Sequence, residues 1–164
     1  MVVCLLILVR AVRAERQVAA RFDRLDWQAV HGHVRYAFDH IGRRVQAGRS
    51  DIKVRTGRTD AEAGDLVFMY CVFTTDSVDA DDAVCLGVSF HPADDGRTAE
   101  CLIDLSGESS GNVWVELFAG LIPASAAELI RVVQVHLSAT EDVARQIDGR
   151  IDALAVEANV GGRE

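Results

Sequence analysis

The sequence predicts a single α+β domain in which an antiparallel sheet lies between helical segments. Apolar residues first recur at helical spacing, then occupy every second position as in β-strands, and then return to helical spacing. The alternating segments are joined by short turns. Strands joined in this way pair antiparallel, because a parallel pair needs a crossover of a dozen or more residues. We therefore expect a β-meander of about five strands, with N-terminal helices and one or two C-terminal helices packed on one face.

Chain length and composition indicate one hydrophobic core. The chain has 164 residues, of which 49% are hydrophobic and 26% are charged, and this is ordinary globular composition. We predict one domain over residues 1–164. Within it, residues 1–25 are a candidate peripheral arm and residues 159–164 a frayed tail.

The clearest helix is predicted over residues 26–47. Its apolar face consists of Trp27, Val30, Val34, Phe38, Ile41 and Val45. Asp26 is a suitable N-cap, and Gly48 stands where a helix commonly stops. Val18, Phe22 and Leu25 also recur at helical spacing, which suggests another helix over about residues 14–24. The apolar run at 2–9 is too short for a membrane span and has no basic residues before it, so we interpret it as a buried strand or helix start.

Five strands are predicted at residues 51–56, 65–75, 83–91, 98–105 and 113–118. The second is apolar on both faces and should lie centrally in the sheet. In the fourth, alternation places Glu100 and Asp104 outward. The residues predicted to face inward on the fourth strand are Cys101, Ile103 and Leu105. On the fifth strand, Val113, Val115 and Leu117 are predicted to share one face.

The C-terminal part is predicted to be helical again. Ser125 with Glu128 matches a capping box, and a second match at Ser138 and Glu141 suggests a break between two helices. The apolar seam consists of Ala126, Ile130, Val133, Leu137, Thr140, Ala144, Ile147, Ile151 and Leu154. One long helix and a strand over 129–137 are the alternatives. The seam should cover the sheet, and a homodimer through this helix is the competing interpretation.

Charge and cysteine usage exclude several classes of partner and compartment. The net charge is −8, so the phosphate backbone would repel the chain and we expect no nucleic-acid partner. We also expect no membrane partner. The four cysteines form no C-x-x-C pair, and three of them lie in strand-like apolar runs. They are Cys4, Cys71, Cys85 and Cys101. Buried free thiols without a secretion signal predict a reducing cytoplasm.

The acidic residues are concentrated in the later part of the chain. Residues 1–50 hold nine arginines against four acids, whereas residues 51–164 hold eight basic and 21 acidic residues. Asp76, Asp79, Asp81 and Asp82 crowd one loop between two strands. A calcium loop is disfavoured because no glycine and no closing glutamate follow at the required spacing. These four residues are the candidate partner-binding site for a basic protein, with a solvated hairpin loop as the alternative.

No catalytic residue, metal ligand or cofactor site is predicted. The segment 107–111 matches G-x-S-x-G, but it lies between two strands, whereas a nucleophile elbow leads from a strand into a helix. His31, His33 and His40 lack the i, i+4 spacing of a helical metal site. Nucleotide-binding glycine motifs and H-E-x-x-H are also absent from the sequence.

These observations favour a non-enzymatic protein-binding module that docks a protein partner. The layout, a small acidic α+β chain without catalytic motifs, is similar to that of immunity (antitoxin-like) proteins and small secretion chaperones. The first alternative is a small-molecule-binding protein or small enzyme with a pocket between sheet and helices. Its candidate residues are Met69, Tyr70, Trp114 and Phe118, with His33 or His40 for acid–base chemistry. The second is a homo-oligomeric structural protein.

Overall fold

The computed structural model describes Phe22 and residues 24–59, 66–76, 83–108 and 110–161. Helix α1 spans Trp27–Gly48. The strands are β1 (Lys53–Thr59), β2 (Val67–Thr74), β3 (Val84–Pro92), β4 (Thr98–Gly107) and β5 (Val113–Pro123). Helices α2 (Ala126–Leu137) and α3 (Thr140–Gly161) follow. The predicted fold class, an antiparallel five-stranded meander between helical segments, is confirmed.

The strands lie in the order β1-β2-β3-β4-β5, and every neighbouring pair is antiparallel. Leu86, Val88 and Phe90 of β3 point to the face on which the helices pack, as alternation predicts. The core between sheet and helices also contains Phe38, Ile41, Cys71, Phe73, Ile103, Leu105, Leu129, Ile147 and Ile151. The helices therefore form one layer on one face of the sheet.

Helix α1 begins where the sequence places it. The Asp26 side chain accepts a hydrogen bond from the Ala29 N–H at 3.0 Å, which satisfies one of the free amides of the first turn. Just before the helix, the ring of Phe22 packs edge-on against Trp27, and the indole N–H donates to the Phe22 carbonyl at 3.0 Å. The rest of the predicted helix over 14–24, Arg24 apart, lies outside the described residues.

The C-terminal segment forms two helices rather than one helix or a strand. The Glu128 N–H donates to the Ser125 hydroxyl at 3.3 Å, which is half of the predicted capping box. Helix α2 ends at Leu137, and α3 starts at Thr140. The seam residues Val133, Leu137, Ala144, Ile147, Ile151 and Leu154 are buried within the chain. No described helix is both long and apolar enough to cross a membrane.

The fifth strand departs from strict alternation. The pairing of β4 with β5 shifts register at Ile103/Asp104 and again at Leu105/Ser106. A bulge inserts a residue and changes which side chains face the core. As a result, Leu117 and Phe118 both pack against the core, whereas Val113 is 49% exposed. The prediction that Val113 shares one face with Val115 and Leu117 is therefore wrong, since Val115 and Leu117 pack against the core.

Two interior helical glycines should respond differently to alanine. A Cβ on Gly149 of α3 would meet no other heavy atom within 4 Å, so Gly149→Ala should raise the free energy of unfolding by up to about 1 kcal/mol. A Cβ on Gly42 of α1 would lie 3.2 Å from Val54 Cγ1, so the same change there should gain less or destabilise. Urea unfolding of both variants measures the difference, and equal stabilisation would contradict the tight α1–β1 contact.

Candidate functional site

The sheet face opposite the helices carries a second, separate set of side chains, which we call the outer face. It consists of Arg55, Phe68, Tyr70, Val72, Cys85, Glu100, Leu102, Asp104, Ser106 and Glu116. A small apolar cluster there, Val72 and Cys85 with Ala83, packs against Phe68 and Tyr70 and includes no described helical residue. Within the described ranges, no helix therefore covers the outer face, although Val72, Cys85 and Asp104 on it are only 1%, 4% and 7% exposed.

Two aromatic rings of β2 lie across glycines of the neighbouring strands. A Cβ on Gly87 of β3 would stand 2.8 Å from Phe68 Cε2, and one on Gly57 of β1 would collide with the Tyr70 ring. The ring centroids of Phe68 and Tyr70 are 5.7 Å apart. Glycine therefore makes room for both rings to lie flat on the sheet, which gives the outer face an aromatic platform.

An ion pair crosses the apolar cluster. Arg55 on β1 pairs with Glu108, which follows β4. Since Arg55 lies opposite Val72 in the sheet and Val72 opposite Cys85, this pair must span β2 and β3. Burial raises the pKa of the Cys85 thiol to about 11, so at neutral pH this cysteine is a protonated packing residue and a poor nucleophile.

Beside this pair, two carboxylates face each other without a cation. Asp104 of β4 and Glu116 of β5 are direct partners in the sheet register. Asp104 is only 7% exposed. Its burial first, and the charge of Glu116 second, raise the pKa of Asp104 above its ordinary value. Like charges directly opposite each other destabilise a sheet.

Glu100 adds a third carboxylate to the same face of β4. Among the described residues, no basic side chain forms an ion pair with Glu100, Asp104 or Glu116. By contrast, the acids Asp152 and Glu141 of α3 pair with Arg49 and Arg44 of α1. The unpaired acids of the described sheet are thus concentrated on the face that the helices leave open.

Of the four predicted partner-binding aspartates, Asp76 is described and Asp79, Asp81 and Asp82 lie outside the described residues. Asp76 follows β2, and its carboxylate accepts a hydrogen bond from Lys53 Nζ at 2.6 Å. This ion pair is largely exposed on both sides, so we expect it to contribute little to stability. Asp76 therefore lies at the end of the sheet where β1 begins and β2 ends.

The three histidines of α1 are divided between two sides of the helix. His31 Nδ1 lies 2.6 Å from an Arg58 guanidinium nitrogen on the β1 side. His33 and His40 instead line a groove of about 820 Å³ between α1 and α2. Within the described ranges, no three His, Cys, Asp or Glu side chains are grouped to hold a metal ion.

The residues suggested for a small-molecule pocket do not share one cavity. Met69 faces the helices, whereas its neighbour Tyr70 is on the outer face. The Arg150 guanidinium lies 4.1 Å from the centroid of the Trp114 ring, and Phe118 stacks on His136 with ring centroids 4.5 Å apart. These side chains therefore occupy several packing sites.

The G-x-S-x-G segment is the turn between β4 and β5. The Gly111 N–H donates to the Gly107 carbonyl at 2.9 Å, and Gly111 has a φ of 62°, a conformation that favours glycine. Ser109 lies outside the described residues. A hairpin turn is not the strand-to-helix elbow that a nucleophilic serine needs.

Comparison with known proteins gives no match to a family model, to a curated protein or to a solved structure. The assignment of the site therefore depends on its geometry alone. Sequence reasoning placed Glu100 and Asp104 outward but did not find the facing pair Asp104 and Glu116. Gly87 inside the apolar third strand, and Gly57 just after the predicted first strand, were the available signals for the aromatic platform.

Proposed function

We propose that this chain is a non-enzymatic protein-binding module that docks a basic partner protein on the outer face of its sheet, as an immunity-like or chaperone-like protein would. The observation that supports it is the set of three carboxylates, Glu100, Asp104 and Glu116, on a face that the helices leave open. Two of them repel each other across one strand pair, and this costs stability. Residues that break a local rule of stability are expected at functional sites.

A partner with arginine or lysine side chains would relieve this repulsion. Each guanidinium placed between Asp104 and Glu116 would form charge-assisted hydrogen bonds with both carboxylates. The rings of Phe68 and Tyr70 offer flat surfaces on which further guanidinium groups stack, as Arg55 does 5.7 Å from the centroid of the Tyr70 ring. Acidic and aromatic groups together favour an arginine-rich partner surface.

The acidic loop extends the same proposal. Asp76 lies at one end of the sheet, and Asp79, Asp81 and Asp82 follow it in the sequence. We assign these four residues to the edge of the docking surface, where charges mainly steer association and set its salt dependence. We also propose a reducing cytoplasm as the compartment, in keeping with the free, buried Cys71, Cys85 and Cys101.

The test is quantitative binding of the partner that a tagged full-length chain recovers from its native host. The double variant Asp104→Asn/Glu116→Gln should weaken the affinity of that partner by about tenfold or more and flatten its salt dependence. The control Asp142→Asn/Glu157→Gln changes the net charge equally on α3 and should have little effect. Recovery of no stoichiometric protein, or equal losses in both variants, would reject the proposal.

The same substitution should stabilise the free protein. The pKa of Asp104 is raised on folding, so its charged form costs stability as pH rises through the folded-state pKa. Asp104→Asn should therefore raise the free energy of unfolding at pH 7, by up to about 1 kcal/mol for relief of one facing pair. The gain should disappear below the pKa of the unfolded carboxyl. Urea unfolding at pH 7 and pH 3 measures it, and a loss of stability at pH 7 would contradict the repulsion.

The aspartates of the loop have their own experiment. Reversal of Asp79, Asp81 and Asp82 to lysine should slow association with the recovered partner and reduce its dependence on salt. Binding that is unchanged by the reversal would remove the loop from the docking surface, while the outer face would still be tested by Asp104→Asn/Glu116→Gln.

A further inference from the structure

The carboxyl group of Asp104 is enclosed on the outer face without a compensating positive charge. Asp104 is only 7% exposed. A Cβ on Gly87 would stand 2.8 Å from both Asp104 Oδ1 and Phe68 Cε2, so the carboxyl lies beside the edge of an apolar ring. Within the described ranges, no hydrogen-bond donor and no basic side chain is paired with it. Because an enclosed carboxylate without a partner is costly, folding favours the protonated form of Asp104.

The nearest charged group across the sheet strengthens this preference. Glu116 of β5 lies directly opposite Asp104, and after burial its charge is what raises the pKa of Asp104. On β3, burial raises the pKa of the Cys85 thiol to about 11, so Cys85 carries no charge at or below neutral pH. The titratable groups that lie further from Asp104 on this face are Tyr70, Glu100, His91 opposite Glu100, and Arg55 paired with Glu108.

We propose that uptake of one proton by Asp104 switches off docking on the outer face, an inference that rests on the proposed function. When both carboxyl groups are ionised, Asp104 and Glu116 can accept hydrogen bonds from one guanidinium group. A proton on Asp104 turns it into a hydrogen-bond donor, and the Glu116 carboxylate opposite becomes a possible acceptor. The pair then carries one negative charge instead of two. A basic partner and a proton therefore compete for the same two carboxyl groups.

This competition has a definite quantitative form. Binding of the partner should release the proton from Asp104, and acid should weaken the partner by the same coupling, because linkage is reciprocal. Below the pKa of Asp104, the fraction of chains with an ionised Asp104 falls about tenfold per pH unit, and the affinity falls with that fraction. Since this pKa is raised, the switch acts at a pH where an ordinary aspartate is still charged.

The first test uses the free full-length chain and needs no partner. Carboxyl carbon NMR between about pH 8 and pH 3 follows the titration of Asp104. Its midpoint should lie above that of aspartate in a short unstructured peptide, and Glu116→Gln should lower it. The control Glu157→Gln, on the exposed side of α3, should leave it unchanged. A midpoint equal to that of the peptide, or one that Glu116→Gln does not lower, would overturn the switch and leave the docking proposal standing.

The second test measures binding of a hexa-arginine peptide at constant ionic strength. Affinity for the wild-type chain should fall by about tenfold per pH unit below the midpoint of Asp104. Asp104→Asn should bind more weakly at about pH 7 and lose this dependence on pH, because its side chain does not titrate. The control Asp142→Asn removes an equal charge from α3 and should keep both the affinity and its pH dependence.

The outcomes separate the switch from the docking surface. His91→Gln should keep the pH dependence, and its loss in that variant would assign the effect to the histidine and overturn the switch. A pH dependence that persists in Asp104→Asn would also overturn the switch. If Asp104→Asn binds the peptide as tightly as the wild-type chain at about pH 7, the docking surface itself is rejected, and the switch with it.

Discussion

Replacement of Phe90 by alanine is expected to lower the free energy of unfolding by about 3–5 kcal/mol. Phe90 is fully buried on β3, and its ring centroid lies 6.1 Å from that of Trp27 at the start of α1. Removal of the ring leaves a cavity where the helical layer meets the sheet. That junction is rigidly packed, and its surroundings can collapse only in part. Urea or thermal unfolding of the purified full chain measures the loss.

The control for this experiment is Leu121→Ala on β5. Leu121 is 64% exposed, so its truncation should change the free energy of unfolding by no more than about 0.5 kcal/mol. A small loss for Phe90→Ala, comparable to that of Leu121→Ala, would contradict the core assignment of β3. Together, the two variants thus distinguish a sheet position that is packed in the core from one that is exposed to solvent.

Replacement of Gly87 by alanine is expected to cost about 1–3 kcal/mol, although glycine is a poor strand residue. The new methyl group would stand 2.8 Å from both Phe68 Cε2 and Asp104 Oδ1. Phe68 and Asp104 would have to move, and Asp104 is nearly buried. The overpacking should exceed the roughly 0.5–1 kcal/mol that alanine normally gains over glycine in a strand.

A double-mutant cycle tests the physical cause. In the background of Phe68→Ala, the space over Gly87 is free, so Gly87→Ala should become neutral or stabilising. The coupling energy between the two positions should be about 1 kcal/mol or more in favour of the double variant. An equal cost of Gly87→Ala in both backgrounds would show that the ring of Phe68 does not lie over the glycine.

The outer face and the groove between α1 and α2 differ in the charge of their described residues. On the outer face, Asp104 and Glu116 hold negative charge together at a cost to stability, which a basic partner would offset. In the groove, by contrast, no charged residue is among the described lining residues.

Periodicity and capping chemistry in the sequence determined the helices, the strands and most of their faces. The inward positions of Leu86, Val88 and Phe90, and the N-caps Asp26 and Ser125, all follow from patterns within a few residues. Such patterns are local, because a side chain's face depends on its spacing from its neighbours and a cap depends on amides two or three residues away.

Only the tertiary structure decided which distant residues meet. The pairing of Asp104 with Glu116 depends on the register after a bulge, and the same bulged pairing accompanies the exposure of Val113. The ion pair of Arg55 with Glu108 joins residues 53 positions apart. A shift of one residue in register moves every side chain of a strand to the other face, so no local pattern could predict these contacts. At the candidate site, the register between β4 and β5 brings the charges of Asp104 and Glu116 together, and composition alone does not predict this.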